Sequence, residues 1–134
     1  MARKLLVTDD APIIREMVKD TLRDAGWEIV GEATNGQEAI DQFRALQPDA
    51  VTLDIVMPEF DGLHGLRGIR ELDPNATVVM VSAVEQTTVL KEAIRAGASD
   101  FIVKPFDKKV LVETLDKLVP EQTRDGDTLS QESA

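Results

Sequence analysis

Five short apolar runs alternate along this chain with five amphipathic stretches, and no other feature restricts the fold as strongly. The runs cover residues 4–8, 27–33, 49–54, 77–82 and 100–103. Continuous apolar strands separated by helices describe a parallel sheet covered on both faces. The expected fold is therefore α/β, a single doubly wound five-stranded sheet with five helices.

The helical stretches carry their own start and stop signals. Pro12 suits a first helical turn, and Ile14, Met17, Val18 and Leu22 follow at helical spacing with Ile13 beside them, up to Gly26. Asn35 with Glu38 reads as a capping pair for a helix whose inward residues are Ala39, Ile40, Phe43 and Leu46. Residues 62–72 form a third helix with Leu63, Leu66 and Ile69 inward. Gly65 and Gly68 weaken it by about 1 kcal/mol each relative to Ala. Residues 85–96 form a fourth with Val89, Leu90, Ala93 and Ile94 inward. Asp107 caps a fifth with Val110, Leu111, Leu115 and Leu118 inward. Residues 120–134 lack periodicity and read as a disordered acidic tail behind a folded unit at 1–119.

Composition excludes several classes. The chain has 134 residues and no cysteine, so disulfides, thiolate chemistry and Cys-based zinc sites are ruled out. A formal charge of -10 opposes nonspecific nucleic-acid binding. Asp9 and Asp10 interrupt the first apolar run too early for a signal peptide, and no stretch is long enough to span a membrane. The expectation is a cytoplasmic protein. Acids outnumber bases in 1–84 and in the tail, whereas 85–119 is balanced. That balanced segment is the one best able to meet an acidic partner.

In a doubly wound sheet the chemistry gathers at the carboxyl ends of the strands. Strand one ends at Asp9 and Asp10, strand three at Asp54, strand four at Ser82 and strand five at Lys104. Right-handed crossovers place these ends along one edge. If the four strands are neighbours, three carboxylates meet one ammonium. Two carboxylates ~5 Å apart repel by roughly 3 kcal/mol at an effective dielectric near 20. Either some carboxyl pKa values rise or a cation binds. An all-oxygen donor set open to water suits Mg2+, with Mn2+ also possible. Such a cluster can accept a phosphoryl dianion, with Asp54 as nucleophile, Lys104 neutralising an oxygen and Ser82 donating a hydrogen bond. Each residue also has a structural reading. Asp10 before Pro12 fits a helix cap, Ser82 with Glu85 fits a capping box, and Asp61-Gly62 fits a turn and helix start. His64, the single histidine, falls on a solvated helix side and receives no role.

These residues resemble the receiver domain of two-component response regulators, and among them the single-domain chemotaxis regulators of the CheY type. The motifs that carry the resemblance are Asp9-Asp10, Asp54 followed by Met57-Pro58 and Asp61-Gly62, Ser82-Ala83, and Lys104-Pro105-Phe106. The strand order 2-1-3-4-5 of the flavodoxin-like fold comes with the resemblance and not from the residues. So does the site. Asp54 is implied to be the phosphoacceptor, charged from a phosphohistidine of a sensor histidine kinase. Asp9, Asp10, Asp54 and the backbone carbonyl of Val56 are implied metal ligands. Lys104 pairs with the phosphoryl group, and its bond to Pro105 is implied to be cis. Ser82 and Phe101 are the implied switch, coupled to an output surface that includes Lys91, Arg95, Phe101 and Lys108. The protein is expected to be a monomeric switch rather than a metabolic enzyme. Its implied listener is a protein such as the flagellar motor switch or a phosphotransfer protein.

The chain departs from the best-known pattern in three places. Phe101 stands where many chemotaxis regulators have Tyr, and Val56 and Val84 flank Asp54 and Ser82 with apolar side chains. With no polar group to orient a hydrolytic water there, slow loss of the phosphoryl group is expected. Competing readings are a phosphotransfer intermediate, a receiver-like module that is never phosphorylated, an FMN carrier, and a phosphatase with an aspartyl-phosphate intermediate. The FMN reading lacks a phosphate-cradling loop after strand one. The phosphatase reading lacks an acid two residues beyond Asp54.

Overall fold

In the computed structural model, which describes residues 2–83 and 86–121, all five apolar runs become parallel strands of one sheet. The strands are β1 (Lys4–Thr8), β2 (Glu28–Ala33), β3 (Ala50–Leu53), β4 (Thr77–Ser82) and β5 (Asp100–Val103). The helices are α1 (Pro12–Asp24), α2 (Gly36–Leu46), α3 (Gly62–Leu72), α4 (Thr87–Arg95) and α5 (Lys108–Leu118). The strand order is β2-β1-β3-β4-β5. Registers such as Val7 with Thr52 and Thr52 with Val79 align the three central strands. The suggested disorder of 120–134 falls almost wholly on residues outside the described ones.

Alternation along the strands divides the core in two. Leu6, Val51, Leu53, Val78 and Met80 face α2, α3 and α4, where they meet Ile40, Phe43, Leu66, Ile69 and Ala93. Leu5, Val7, Ala50, Val79, Val81 and Ile102 face α1 and α5, where they meet Val18, Leu22, Leu111 and Leu115. Burial on both faces explains why the central strands contain so little besides Val, Leu, Met and Ala.

The helical faces are narrower than spacing suggests. Ile13, Met17, Ile94 and Val110 are all exposed, although helical periodicity points Met17, Ile94 and Val110 inward. Each lies one position from a buried contact, about 100° around the helix. In α4, Val89, Ala93 and Ala96 make the contact at i, i+4 and i+7, which leaves Ile94 outside. The start of α4 also differs from the sequence reading. Its N-cap is Gln86, without a side-chain hydrogen bond, and Ser82 is the last residue of β4 rather than a cap. Glu85 and Val84 lie outside the described residues.

Other caps follow the sequence. Asn35 accepts the Glu38 N–H, Asp61 accepts the His64 N–H, and Asp107 accepts from Lys109 and Val110. Asp10 is not a cap. The N-cap of α1 is Ala11, whose own N–H is taken by Asp9 Oδ1 at 2.9 Å.

The glycines of α3 act by allowing close approach. A Cβ on Gly68 would strike the Ile40 side chain, and one on Gly65 would sit 3.1 Å from the Gly36 Cα. Their helix-propensity cost is therefore offset by the packing of α3 on α2. Gly62 is tighter still, because a Cβ there would fall on the Asp54 carbonyl oxygen. Gly62→Ala should lower unfolding free energy by about 1–3 kcal/mol despite alanine's higher helix propensity, as read by urea denaturation.

Candidate functional site at the carboxyl edge of the sheet

The strand order makes β1, β3, β4 and β5 neighbours, so their carboxyl ends line up. Asp9 follows β1 directly. It is 3% exposed and its N–H donates to the Ala33 carbonyl at 3.1 Å. Asp54 follows β3 and is 6% exposed, with its N–H donating to the Thr8 carbonyl at 3.1 Å. Asp10 is exposed, and its carboxylate receives no hydrogen bond among the described residues. One carboxylate oxygen from each of Asp9, Asp10 and Asp54 lies within 4.8 Å of the other two.

Lys104 reaches this cluster from the end of β5. Its Nζ donates to Asp9 Oδ2 at 2.6 Å and to Asp54 Oδ2 at 3.2 Å. The Lys104 N–H donates to the Ser82 carbonyl at 3.0 Å, which ties the end of β5 to that of β4. The Lys104–Pro105 peptide is cis, as the resemblance implies. Ser82 itself is 1% exposed, and its hydroxyl has no hydrogen-bond partner among the described residues. Val56 projects from the β3–α3 loop, 65% exposed. Phe101 is half-buried against the core beneath α2, α3 and α4.

Three carboxylates and one ammonium leave an excess of negative charge in a largely buried place. At 4.8 Å and an effective dielectric near 20, each carboxylate pair repels by roughly 3 kcal/mol. The consequence is visible on Asp9. Burial raises its pKa, the Asp54 charge adds to the rise, and hydrogen bonds from Lys104 and the Ala11 N–H only partly oppose it. The Lys104 pKa is raised as well. Burial alone would favour its neutral form, but the hydrogen bond to Asp9 and the charges of Asp54 and Asp9 hold it ionised above the ordinary value. One contact thus favours the charged lysine while leaving Asp9 strained, because a single cation serves several anions.

The donor set fits a hard divalent ion: oxygen ligands only, three carboxylates in reach of one another, and one of them exposed. The buried hydroxyls of Thr8, Thr52 and Ser82 have no hydrogen-bond partner among the described residues. Some neighbours were not legible in the sequence. His64 is half-buried rather than solvated, sits 2.8 Å from Gln37 Oε1 and lies 4.7 Å from the Phe60 ring of the β3–α3 loop. Arg15 donates to the Asp9 carbonyl at 2.8 Å, and nothing short of the helix register could have indicated it.

Comparison with known proteins now defines the class. The family model described as response regulator receiver domain matches residues 5–116, and the chain belongs to that family. Chemotaxis protein CheY of Thermotoga maritima is 48% identical over 118 residues, covering 88% of this chain and 98% of that protein. Chemotaxis protein CheY of Bacillus subtilis is 44% identical over 117 residues, covering 87% and 98%. Among solved structures, the CheX–CheY–BeF3–Mg complex from Borrelia burgdorferi superposes with a TM-score of 0.83 at 32% identity, covering 87% of this chain and 88% of that one.

Two measurements test the site's electrostatics and its place in the fold. The folded pKa of Asp9 lies above its ordinary 3.8, so ionising Asp9 costs stability as pH rises through that window. Without divalent metal, Asp9→Asn should raise the thermal midpoint by a few degrees at pH 7, and the gain should vanish at pH values below 3.8. Trp27 is buried at the opposite edge of the sheet, held by Asp116 and stacked under Arg3. The length of β1, on the order of 15 Å, separates it from the cluster. Its fluorescence should therefore change little on Mg2+ addition.

Proposed function

We propose that this receiver is a chemotaxis response regulator that accepts a phosphoryl group on Asp54 from a phosphohistidine of a sensor histidine kinase. The observation that carries the reading is the convergence of Asp9, Asp10, Asp54 and Lys104 at one sheet edge. The chemotaxis assignment is supported by relatives of that name that the chain matches over nearly their whole length. Among the described residues no helix is long and apolar enough to cross a membrane, which agrees with a cytoplasmic site of action.

In this reading an Asp54 carboxylate oxygen attacks phosphorus, and the phosphorus–nitrogen bond to the kinase imidazole breaks as the nitrogen keeps its electron pair. Asp9, Asp10, Asp54 and the Val56 carbonyl would hold Mg2+, which when bound offsets the charge of the carboxylates and the phosphoryl oxygens. Lys104 exchanges its contact with Asp54 for one with a phosphoryl oxygen. Ser82 then has the acceptor its hydroxyl lacks among the described residues. Its movement opens space toward which Phe101 turns, and Phe101 does so without a hydroxyl to satisfy in either position. The receiver unit is taken as residues 1–119.

The change is read on the face made by α4, β5 and α5. Lys91, Arg95 and Lys108 are exposed there, and so are Ile94, Val103 and Val110. A mixed cationic and apolar face suits a protein partner, such as the flagellar motor switch or a phosphotransfer protein, and not nucleic acid. The protein is a switch biased by a covalent charge, working as a monomer.

Incubation with Mg2+ and a small acyl-phosphate donor should add one phosphoryl group by mass spectrometry, and Asp54→Asn should abolish the gain. No gain on the wild type would leave only a binding module. Because Val56 offers no polar group to an incoming water, the modified protein should decay slowly. Val56→Asn should shorten that lifetime several-fold.

A further inference from the structure

Arg15 lies in the first turn of α1, and its side chain ends on the backbone of the acidic cluster. One guanidinium nitrogen donates to the Asp9 carbonyl at 2.8 Å, and Nε donates to Glu32 Oε1 at 2.9 Å. Glu32 belongs to the edge strand β2, in register with Val7, and accepts a second cation, Lys19, at 2.8 Å. Lys19 is buried and also pairs with Glu16. Lys19, and less strongly Arg15, hold the Glu32 carboxyl below its ordinary range against a smaller opposing effect of burial. The four groups are neutral in sum, and together they aim the Arg15 fork at one peptide.

That peptide joins Asp9 to Asp10. Asp9 is fixed independently by the Ala33 carbonyl, the Ala11 N–H and Lys104. The Asp10 carboxylate has no hydrogen-bond partner among the described residues. Arg15 holds the plane of the peptide before it by the Asp9 carbonyl, and so limits where the backbone carries that carboxylate. We propose that Arg15, oriented by Glu32, is a positioning residue that keeps the Asp10 carboxylate in the divalent-cation site. The inference rests on the reading of Asp9, Asp10 and Asp54 as that site.

Charge and position make opposite predictions. Deleting a cation near three carboxylates should by charge alone tighten binding of a divalent ion. Loss of a supporting contact behind a ligand should weaken it, typically about tenfold. Charge has the smaller effect here because Glu32 already neutralises Arg15 at 2.9 Å.

The test is calorimetric titration of the full chain with Mn2+, with thermal melts and 15N relaxation recorded in EDTA. Arg15→Gln should bind Mn2+ about tenfold more weakly, and Arg15→Lys should recover part of the loss because an ammonium can reach the carbonyl but cannot fork to Glu32. In the metal-free protein the Asp10 amide should gain fast motion in Arg15→Gln while the Asp54 amide does not. Glu32→Gln, which leaves Arg15 charged but unsteered, should weaken binding several-fold and carries the test if Arg15→Gln does not fold. Equal or tighter Mn2+ binding by a folded Arg15→Gln overturns this inference alone. No binding by the wild type overturns the metal reading and this inference with it.

Discussion

Lys104 holds together a site that would otherwise repel itself. Its ammonium touches Asp9 and Asp54, and Asp10 stands within reach of both with no cation of its own among the described residues. One positive charge cannot neutralise three negative ones, so the resting site keeps a deficit. Burial raises the pKa of Asp9, and the neighbouring Asp54 charge adds to that rise. A divalent cation would bring the sum of three carboxylates and one ammonium to zero, which is why the cluster suits one.

The rest of the fold can be understood as what keeps that cluster in place. Parallel strands carry their carboxyl ends to one edge, and the Asp54 and Lys104 N–H groups are tied to the strand ends beside them. Gly62 lets the β3–α3 loop close against the Asp54 carbonyl, and its own N–H donates to Ile55. Gly36, Gly65 and Gly68 bring α2 and α3 near enough to support that loop. Covering both sheet faces leaves the strand ends as the only part of the sheet where polar side chains can collect without opening the core.

Much of this was legible in the chain. The strands at 77–82 and 100–103 coincide with their predicted runs, and for β4 the reason is that a strand buried on both faces must be apolar along nearly its whole length. Asn35, Asp61 and Asp107 announced their helices, because a cap is a local hydrogen bond set by residues three apart or fewer. The failures also have a local cause. Ser82-Glu85 matches a capping box by spacing, yet β4 extends through Ser82, and a residue pairing in a sheet cannot open a helix at the same time. Met17, Ile94 and Val110 lie on the flanks of their helices, where only the course of each helix over the sheet decides what is covered.

The sequence alone therefore determined the layer architecture, the caps at Asn35, Asp61 and Asp107 and which residue types stand at which strand ends, because each depends on neighbours within a few positions. Tertiary structure decided what those residues do to one another. It shared one ammonium between two aspartates, left the Ser82 hydroxyl buried without a partner among the described residues, turned two apparent helix weaknesses into a helix contact and brought Arg15 to the Asp9 carbonyl. Such effects arise from distances of a few ångströms between residues far apart in the chain, and periodicity carries no information about those distances.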